Sequence, residues 1–417
     1  MLKKISIYTF IGFLGAGVNF FLMPYLSHFI NPTEYGLLSM VNSYVTILIP
    51  LIGLVASSII SVDYFAIKDN AEFASLFSSV QLIPLVPAII FLIFNLLFPG
   101  PIASLFEIPV DKVYWLNLSV LLAFLIIYTD TLLAFTITEQ KPGFYALFNI
   151  SKLVVEVGLT LWFVTGMNMS WEGRLLSWLI VNLLFFFIAF AYFHKRRLLT
   201  LRVSKKYILA GISFGLPLIL HTIGKFIINQ SDRLFIAKMV SIEEAGIYNM
   251  GYQVGMVMLI LVSSVGNFMY PYINERLSNP TYEGKLQIVK LSYLVTGISL
   301  IFLFLITVLT PIFFSWLIDA DYRQATRYVF WVALSYFFWG VYLLFTGYIF
   351  FTKRTRFLGY LAIVNVLLNA GLNYLLIKNY GAIGAAWATC ISFFVIALLT
   401  AIEANKRIKL PWNFFIK

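Results

Sequence analysis

The chain has 417 residues, of which 61% are hydrophobic and 11% are charged, and its formal net charge is +11. Soluble domains carry roughly 45–50% apolar and about 25% charged residues, so this composition excludes an ordinary soluble protein. The lone Cys390 excludes an intrachain disulfide, and three scattered histidines offer no metal cluster. The positive charge is typical of membrane topology signals and contact with membrane lipids, and predicts no nucleic-acid partner.

A membrane-spanning helix needs about 20 mostly apolar residues, and the sequence contains twelve such segments. The first six spans are predicted at 5–30, 37–62, 76–99, 113–137, 144–166 and 173–193. The last six are predicted at 208–237, 246–270, 286–310, 326–351, 357–378 and 383–403. The first apolar run is longer than the core of a signal peptide, so we expect it to be a retained span.

The distribution of lysine and arginine predicts the orientation. Twenty of the 29 lie on the side of the N-terminus and six on the other side, while Lys152, Lys225 and Arg233 lie within spans. The positive-inside rule then places both termini in the cytoplasm, and we expect a bacterial cytoplasmic membrane. All loops are short, so the predicted fold class is an all-α polytopic membrane protein. We predict no enzyme activity, catalytic residue or cofactor.

The two halves of the chain resemble each other. At an offset of 210, Glu34 matches Glu244 and Gly36 matches Gly246, and similar matches recur at an offset of 213. With six spans in each half, this order predicts two six-helix bundles, residues 1–200 and 201–417, related by a pseudo-two-fold axis along the membrane normal. Two small-residue pairs, Gly211 with Gly215 and Gly251 with Gly255, predict close helix packing.

Ionisable residues within spans are costly in lipid and therefore indicate a buried partner or a polar cavity. Lys152 and Glu156 lie one turn apart on helix five, either as a self-neutralising pair or as a cavity wall that binds an anion and a coupling ion. Asp130 in helix four is interpreted as interfacial. Arg174 begins helix six, where it lies at the interface or reaches a cavity.

Helix seven carries a polar stripe that cannot face lipid. His221, Lys225 and Asp232 fall near one face of this helix, with Arg233 beside them. Within the spans the basic groups outnumber the acids, so a cavity lined by them prefers an anion. We therefore predict substrate binding at Lys152, Lys225, Arg233, His221 and Arg174, and ion coupling at Glu156 and Asp232.

Three segments give the chain a resemblance to a known family. They are Pro32-Thr33-Glu34-Tyr35-Gly36, Asn229-Gln230-Ser231-Asp232-Arg233, and Asn369-Ala370-Gly371-Leu372-Asn373. Together with twelve spans and short loops, they resemble the polysaccharide transport branch of the multidrug/oligosaccharidyl-lipid/polysaccharide exporter superfamily. That branch includes the O-antigen and capsule oligosaccharide flippases.

The resemblance implies alternating access of a central cavity and a substrate that is an oligosaccharide on undecaprenyl pyrophosphate. Lys152, Lys225 and Arg233 would contact phosphate or acidic sugars, and a proton or sodium would be the coupling ion. Polysaccharide polymerase machinery is an expected partner. Two alternatives stay open, namely an ion-coupled drug or metabolite exporter of the same fold and a membrane glycosyltransferase or polymerase. An Asp319-Ala320-Asp321 motif suggests the latter, but the chain has no large outer loop.

Overall fold

The computed structural model describes the backbone of residues 2–413, and their side chains except at positions 2–6, 9, 16, 220, 221, 225 and 229. The first half of the described chain forms nine α-helices, α1 to α9: Leu2–Ser27, Pro32–Gly53, Ser58–Asp63, Asn70–Gln81, Leu85–Leu97, Pro99–Leu105, Tyr114–Thr138, Pro142–Leu161 and Ser170–Lys195. The second half forms α10 to α16: Lys205–Met239, Ile242–Gly255, Val257–Ser278, Tyr282–Leu317, Thr326–Phe351, Thr355–Tyr380 and Ile383–Arg407. Three short segments of 3₁₀ or π-helix are Val110–Lys112, Trp162–Gly166 and Ala320–Ala325.

The described residues contain no strand and twelve helical spans that are long and apolar enough to cross a membrane. Several spans join consecutive helices, as α4 with α5 and α11 with α12. The predicted all-α fold with about twelve spans is confirmed, and the chain is a multi-pass membrane protein. Some spans extend beyond the predicted ends, as at Tyr282–Leu317, where the sequence predicts 286–310. Others end earlier, as at Pro32–Gly53, where the sequence predicts 37–62.

Equivalent helix starts confirm the local repeat. Asn31 caps α2 by accepting from the backbone N–H of Glu34, whose side chain accepts from the backbone N–H of Asn31. Ser241, at the same place in the second half, caps α11 by accepting from the backbone N–H of Glu244. A side chain that binds an otherwise unpaired N–H stabilises a helix start by about 0.5–2 kcal/mol. The matched glutamates therefore begin equivalent helices.

The chain divides into two compact units, Met1–Phe226 and Ile227–Lys417. The division falls within α10, later than the predicted boundary at residue 200. The first turns of α10 belong to the first unit because small residues let them approach it closely. A Cβ atom added at Gly211 would lie 2.9 Å from the Cδ1 atom of Ile83, and one at Gly215 would collide with the backbone of Leu54.

Aromatic side chains fill the core of the first unit. Phe73, Phe77, Phe135 and Phe193 are buried and pack ring against ring. In the second unit, two helices also approach each other closely. A Cβ at Gly255 would lie 2.7 Å from the Cβ of Val332, so α11 packs tightly on α14 as its small residues predict.

Candidate functional site

The first unit contains a group of polar side chains around the buried Arg174 and Thr160, which we call the ion-pair cluster: Asn19, Glu156, Thr160, Arg174 and Trp178. The Arg174 guanidinium lies 2.9 Å from Oε1 of Glu156. It also donates to Thr160 Oγ1 at 2.6 Å and to Asn19 Oδ1 at 3.0 Å. Trp178 donates its indole N–H to Glu156 at 2.9 Å, and its ring lies 4.8 Å from the guanidinium carbon of Arg174.

This arrangement bears on two interpretations of the sequence. Arg174, for which an interfacial position and a cavity were both left open, is only 5% exposed and pairs with Glu156. Glu156 therefore forms its ion pair with Arg174 on the next helix and not with Lys152, while Lys152 and Glu156 both line the cavity described below. The i,i+4 spacing places Lys152 and Glu156 on one face of α8. The Arg174 guanidinium of α9 is nevertheless the better partner for Glu156, because its planar group forms more directed hydrogen bonds than the Lys152 ammonium would.

A cavity of about 210 Å³ lies beside this cluster, between α1, α7 and α8. Its charged lining consists of Lys152, Glu156 and Asp130. The Lys152 ammonium donates to Thr129 Oγ1 at 3.1 Å. Since Arg174 neutralises Glu156, the remaining charges are those of Lys152 and Asp130. The cationic excess predicted for the spans is therefore not concentrated in this cavity.

The second unit contains what we call the carboxylate cluster: Asp232, Tyr248, Asn369, Asn373 and Thr389. Asp232 is fully buried, with 0% exposure. Its Oδ2 accepts from the Tyr248 hydroxyl at 2.8 Å and from the Thr389 hydroxyl at 2.9 Å. Its Oδ1 accepts from the Asn373 amide at 2.8 Å. Four helices, α10, α11, α15 and α16, thus meet at one carboxylate.

Two further bonds connect the amides of the carboxylate cluster. Asn373 also donates to Asn369 Oδ1 at 3.1 Å, and Asn369 donates to Thr389 Oγ1 at 3.3 Å. The donors to Asp232 among the described residues, Tyr248, Asn373 and Thr389, are neutral. A buried carboxylate held by neutral donors is chemically suited to take up a proton or a small cation, because either removes the cost of its charge.

Arg233 follows Asp232 in sequence but points to other partners. Its Nε donates to Asn249 Oδ1 at 2.7 Å, and its guanidinium carbon lies 4.2 Å from the centre of the Tyr252 ring. The Tyr252 hydroxyl lies 2.6 Å from that of Tyr336. Asp232 and Arg233 therefore belong to adjacent but separate contacts, as their position on the helix predicts.

The structure brings some predicted residues together and leaves others undescribed. Glu156 and Arg174 are in contact in the ion-pair cluster, and Lys152 lines the adjoining cavity. His221 and Lys225 lie outside the described side chains, so their roles stay predictions. Among the residues described, no group of three or more His, Cys, Asp and Glu could hold a metal ion.

Sequence reasoning missed the neutral members of both clusters. Asn19, Thr160 and Trp178 complete the first cluster, and Tyr248 and Thr389 complete the second. One signal was available on α15. Asn365, Asn369 and Asn373 recur every four residues and are all buried, so this stripe could have predicted a polar centre on α15.

Comparisons with known proteins give the family and the fold. A family model described as "Polysaccharide biosynthesis protein" matches residues 1–276. A protein of the Lsg locus of Haemophilus influenzae is 27% identical over 278 residues, which cover 62% of each chain. An uncharacterized membrane protein of the same organism is 25% identical over 285 residues, 66% of each chain. The chain thus matches less than two thirds of the length of these curated relatives.

Solved structures with the same fold are transporters. The structure of the lipid II flippase MurJ in an inward closed conformation matches with a TM-score of 0.77 at 16% identity, covering 97% of this chain and 88% of that one. An inward-facing multidrug resistance MATE family transporter of the MOP superfamily matches with a TM-score of 0.73 at 13% identity, covering 94% and 93%. At these identities the likeness shows a shared fold.

Proposed function

Since the chain belongs to the polysaccharide biosynthesis protein family, we propose that it is a flippase for a lipid-linked oligosaccharide. It would move an oligosaccharide on undecaprenyl pyrophosphate from the cytoplasmic to the outer leaflet of a bacterial cytoplasmic membrane, for surface polysaccharide synthesis. O-antigen or capsule units are the substrates that this role suggests. The family match carries the proposal, and the transporter fold supports it.

Lys152 is the described residue best placed to meet a phosphate group. Its ammonium lies at the wall of a cavity within a membrane span, where an interaction with an anion is stronger than in water. Its present partner is the neutral Thr129 hydroxyl, which a pyrophosphate oxygen could replace. Arg174 would act differently from our sequence prediction, since its bonds hold Glu156 and the adjoining helices in place.

Asp232 is the residue best suited to couple transport to an ion. Binding of a proton or sodium would neutralise a carboxylate on which four helices converge. Such a change in charge can bias the packing of those helices between two arrangements, as alternating access requires. Glu156 is less suited to this role because Arg174 already compensates its charge.

An ion-coupled drug or metabolite exporter is the second candidate. The MATE family transporter with a TM-score of 0.73 favours it, because that fold serves multidrug resistance in the matched protein. The family match favours the flippase, because polysaccharide synthesis needs its lipid-linked units moved across the membrane.

Deletion of the gene separates the candidate functions. A flippase defect would abolish the surface polysaccharide and cause lipid-linked repeat units to accumulate in the cytoplasmic leaflet. A polymerase defect would leave single units on the cell surface, and loss of a drug exporter would leave the polysaccharide intact. Either of these two results would contradict the proposal.

Complementation then tests Lys152. We expect Lys152→Ala to restore polysaccharide poorly at native protein levels, because the variant loses the cavity's ammonium. Lys68→Ala is the matched control, since Lys68 is exposed in a loop of the same unit. Equal complementation by both variants would remove Lys152 from the binding site.

A further inference from the structure

The second unit contains an apolar cavity that neither cluster uses. Its volume is about 250 Å³, and it lies between α13 and α14 at the end where α14 and α16 terminate. A smaller gap of about 10 Å³ adjoins it and shares the lining residues Thr296, Val341 and Leu344. Ser292 lines the cavity and Ser299 lines the gap, and both lie on α13. The two residues are separated by about two helical turns, which is roughly 10 Å along the helix axis.

The lining of this cavity suits a hydrocarbon chain. Ser292 and Thr296 donate their hydroxyls back to the carbonyls of Ile288 and Ser292, at 2.8 Å each. These hydroxyls therefore need no water, and the remaining wall is formed mainly by aliphatic and aromatic side chains. An apolar chain in this space gains from burial as it would in any hydrocarbon environment.

The segment after α16 covers one end of the cavity. Trp412 lines it, with its ring 5.9 Å from the ring of Tyr293 and 5.7 Å from that of Phe345. Tyr293 donates its hydroxyl to the backbone carbonyl of Trp412 at 3.0 Å, and the Trp412 indole donates to Asn405 at 3.2 Å. Trp412 is thus held against α13, α14 and the end of α16, which gives the cavity a defined end.

One hydroxyl in the cavity is poorly satisfied. Tyr348 is 2% exposed and lines the cavity beside Ser292, yet its hydroxyl makes no hydrogen bond of normal geometry to a described residue. A buried hydroxyl without a well-formed hydrogen bond costs free energy, which an acceptor atom on a molecule in the cavity would recover. Tyr348 lies within the last turn of α14, near the end of the candidate span Ala320–Phe351, and the ends of spans are where lipid headgroups are expected.

The same end of the unit carries a strong positive charge. The segments 274–290, 351–358 and 402–410 contain nine lysines and arginines and three acids. Two of the acids, Glu275 and Glu403, pair with neighbouring arginines. Lys406 and Lys409 are exposed beside the segment that carries Trp412. This charge complements an anionic headgroup.

We propose that this cavity is a binding site for an anionic phospholipid. One acyl chain lies between α13 and α14, the Tyr348 hydroxyl donates to an ester or phosphate oxygen, and Lys406 and Lys409 attract the headgroup. The lipid is a resident of the second unit and is distinct from the transported substrate, so the inference does not depend on the proposed function.

Lipid titration of the purified full chain, followed by native mass spectrometry, tests this site. Phosphatidylglycerol and phosphatidylcholine with the same acyl chains are compared. We expect phosphatidylglycerol to bind at least tenfold more tightly to the native protein. Tyr348→Phe should weaken its binding about five- to tenfold, because one hydrogen bond to the lipid is lost. Lys406→Ala with Lys409→Ala should weaken it by about fivefold per lysine.

The variants have matched controls. Tyr360→Phe removes an exposed hydroxyl near the same end, and Lys68→Ala removes an exposed ammonium in the other unit. Both should bind phosphatidylglycerol as the native chain does. Tyr348→Phe removes a hydroxyl that makes no hydrogen bond of normal geometry to a described residue, so its thermal stability without added lipid should not fall.

Three results would overturn the proposal. The first is equal binding of the two phospholipids to the native protein. The second is native-like binding of phosphatidylglycerol by Tyr348→Phe and by the double lysine variant. The third is displacement of phosphatidylglycerol by a lower concentration of undecaprenyl phosphate, which would assign the cavity to an isoprenoid chain.

Discussion

The two units place polar clusters at equivalent helices but neutralise them in opposite ways. In the first unit, α8 contributes Glu156 and Thr160, and the next helix supplies Arg174. In the second unit, α15 contributes Asn369 and Asn373, the residues at an offset of 213 from Glu156 and Thr160. The first cluster contains a paired base and acid, whereas the second surrounds the single acid Asp232 with neutral donors.

We infer from this difference that the first cluster has a structural role and that the second is suited to bind an ion. A buried acid with a bonded guanidinium is satisfied and gains little from a further ion, while losing either partner is costly. A buried acid with neutral donors keeps its charge uncompensated by a direct ion pair and can respond to a proton or cation. We therefore propose that the duplicated framework holds a fixed cluster in one unit and an ion-responsive cluster in the other.

The largest effect is expected from breaking the ion pair. Arg174→Met leaves the Glu156 carboxylate buried without its guanidinium, so the variant should lose about 3–5 kcal/mol of unfolding free energy. Thermal and denaturant unfolding in detergent measure this loss. The double variant Arg174→Met with Glu156→Gln should recover much of it, since no charge remains unpaired. A single variant as stable as the native chain would refute the structural role.

A smaller effect is expected from removing one donor to the lone acid. Tyr248→Phe deletes a 2.8 Å hydrogen bond to Asp232 and should cost about 1.5–3 kcal/mol. Unfolding of the same preparations gives the loss, with Tyr360→Phe as the control for an exposed hydroxyl. If transport also depends on Asp232, the ion concentration for half-maximal rate should shift in Tyr248→Phe. An unchanged ion dependence would mean that the carboxylate does not bind the ion.

The corresponding change in the first unit should cost less. Trp178→Phe removes the indole bond to Glu156, but the Arg174 guanidinium stays in place. We expect a loss of about 1 kcal/mol in unfolding free energy and no change in the ion dependence of transport. A loss larger than that of Tyr248→Phe would contradict the contrast drawn between the clusters.

The smallest effect is expected outside both clusters. Lys68 is exposed between α3 and α4, so Lys68→Ala should change stability by less than about 0.5 kcal/mol. Its transport rate should equal that of the native chain. A clear loss would indicate that a general reduction of positive charge, rather than the cavity residue Lys152, limits transport.

The fold was predictable because hydropathy depends on composition over about 20 residues, which the sequence displays directly. Twelve spans and the matched helix starts at Glu34 and Glu244 followed from such local patterns. The partner of Glu156 was not predictable in this way. Lys152 is one turn away on the same helix, whereas Arg174 reaches Glu156 only through the packing of α9 on α8.

The carboxylate cluster illustrates the same limit. Asp232 was identifiable as an acid within a span, but its donors Asn373 and Thr389 lie 141 and 157 residues away in the sequence. Asn373 belongs to the asparagine stripe of α15, which could have indicated a polar centre, but nothing in the residue type of Thr389 singled it out. The division of α10 between two units depends on contacts at Gly211 and Gly215, which small residues allow without specifying the partner.

Transport in proteoliposomes tests the central claim most directly. A labelled oligosaccharide on undecaprenyl pyrophosphate is placed in one leaflet, and its movement is followed with and without a proton or sodium gradient. We predict movement by the native chain that one of these gradients accelerates, and a rate in Asp232→Asn that neither gradient changes. A folded native chain that moves no lipid-linked oligosaccharide but exports a dye or drug would contradict the account.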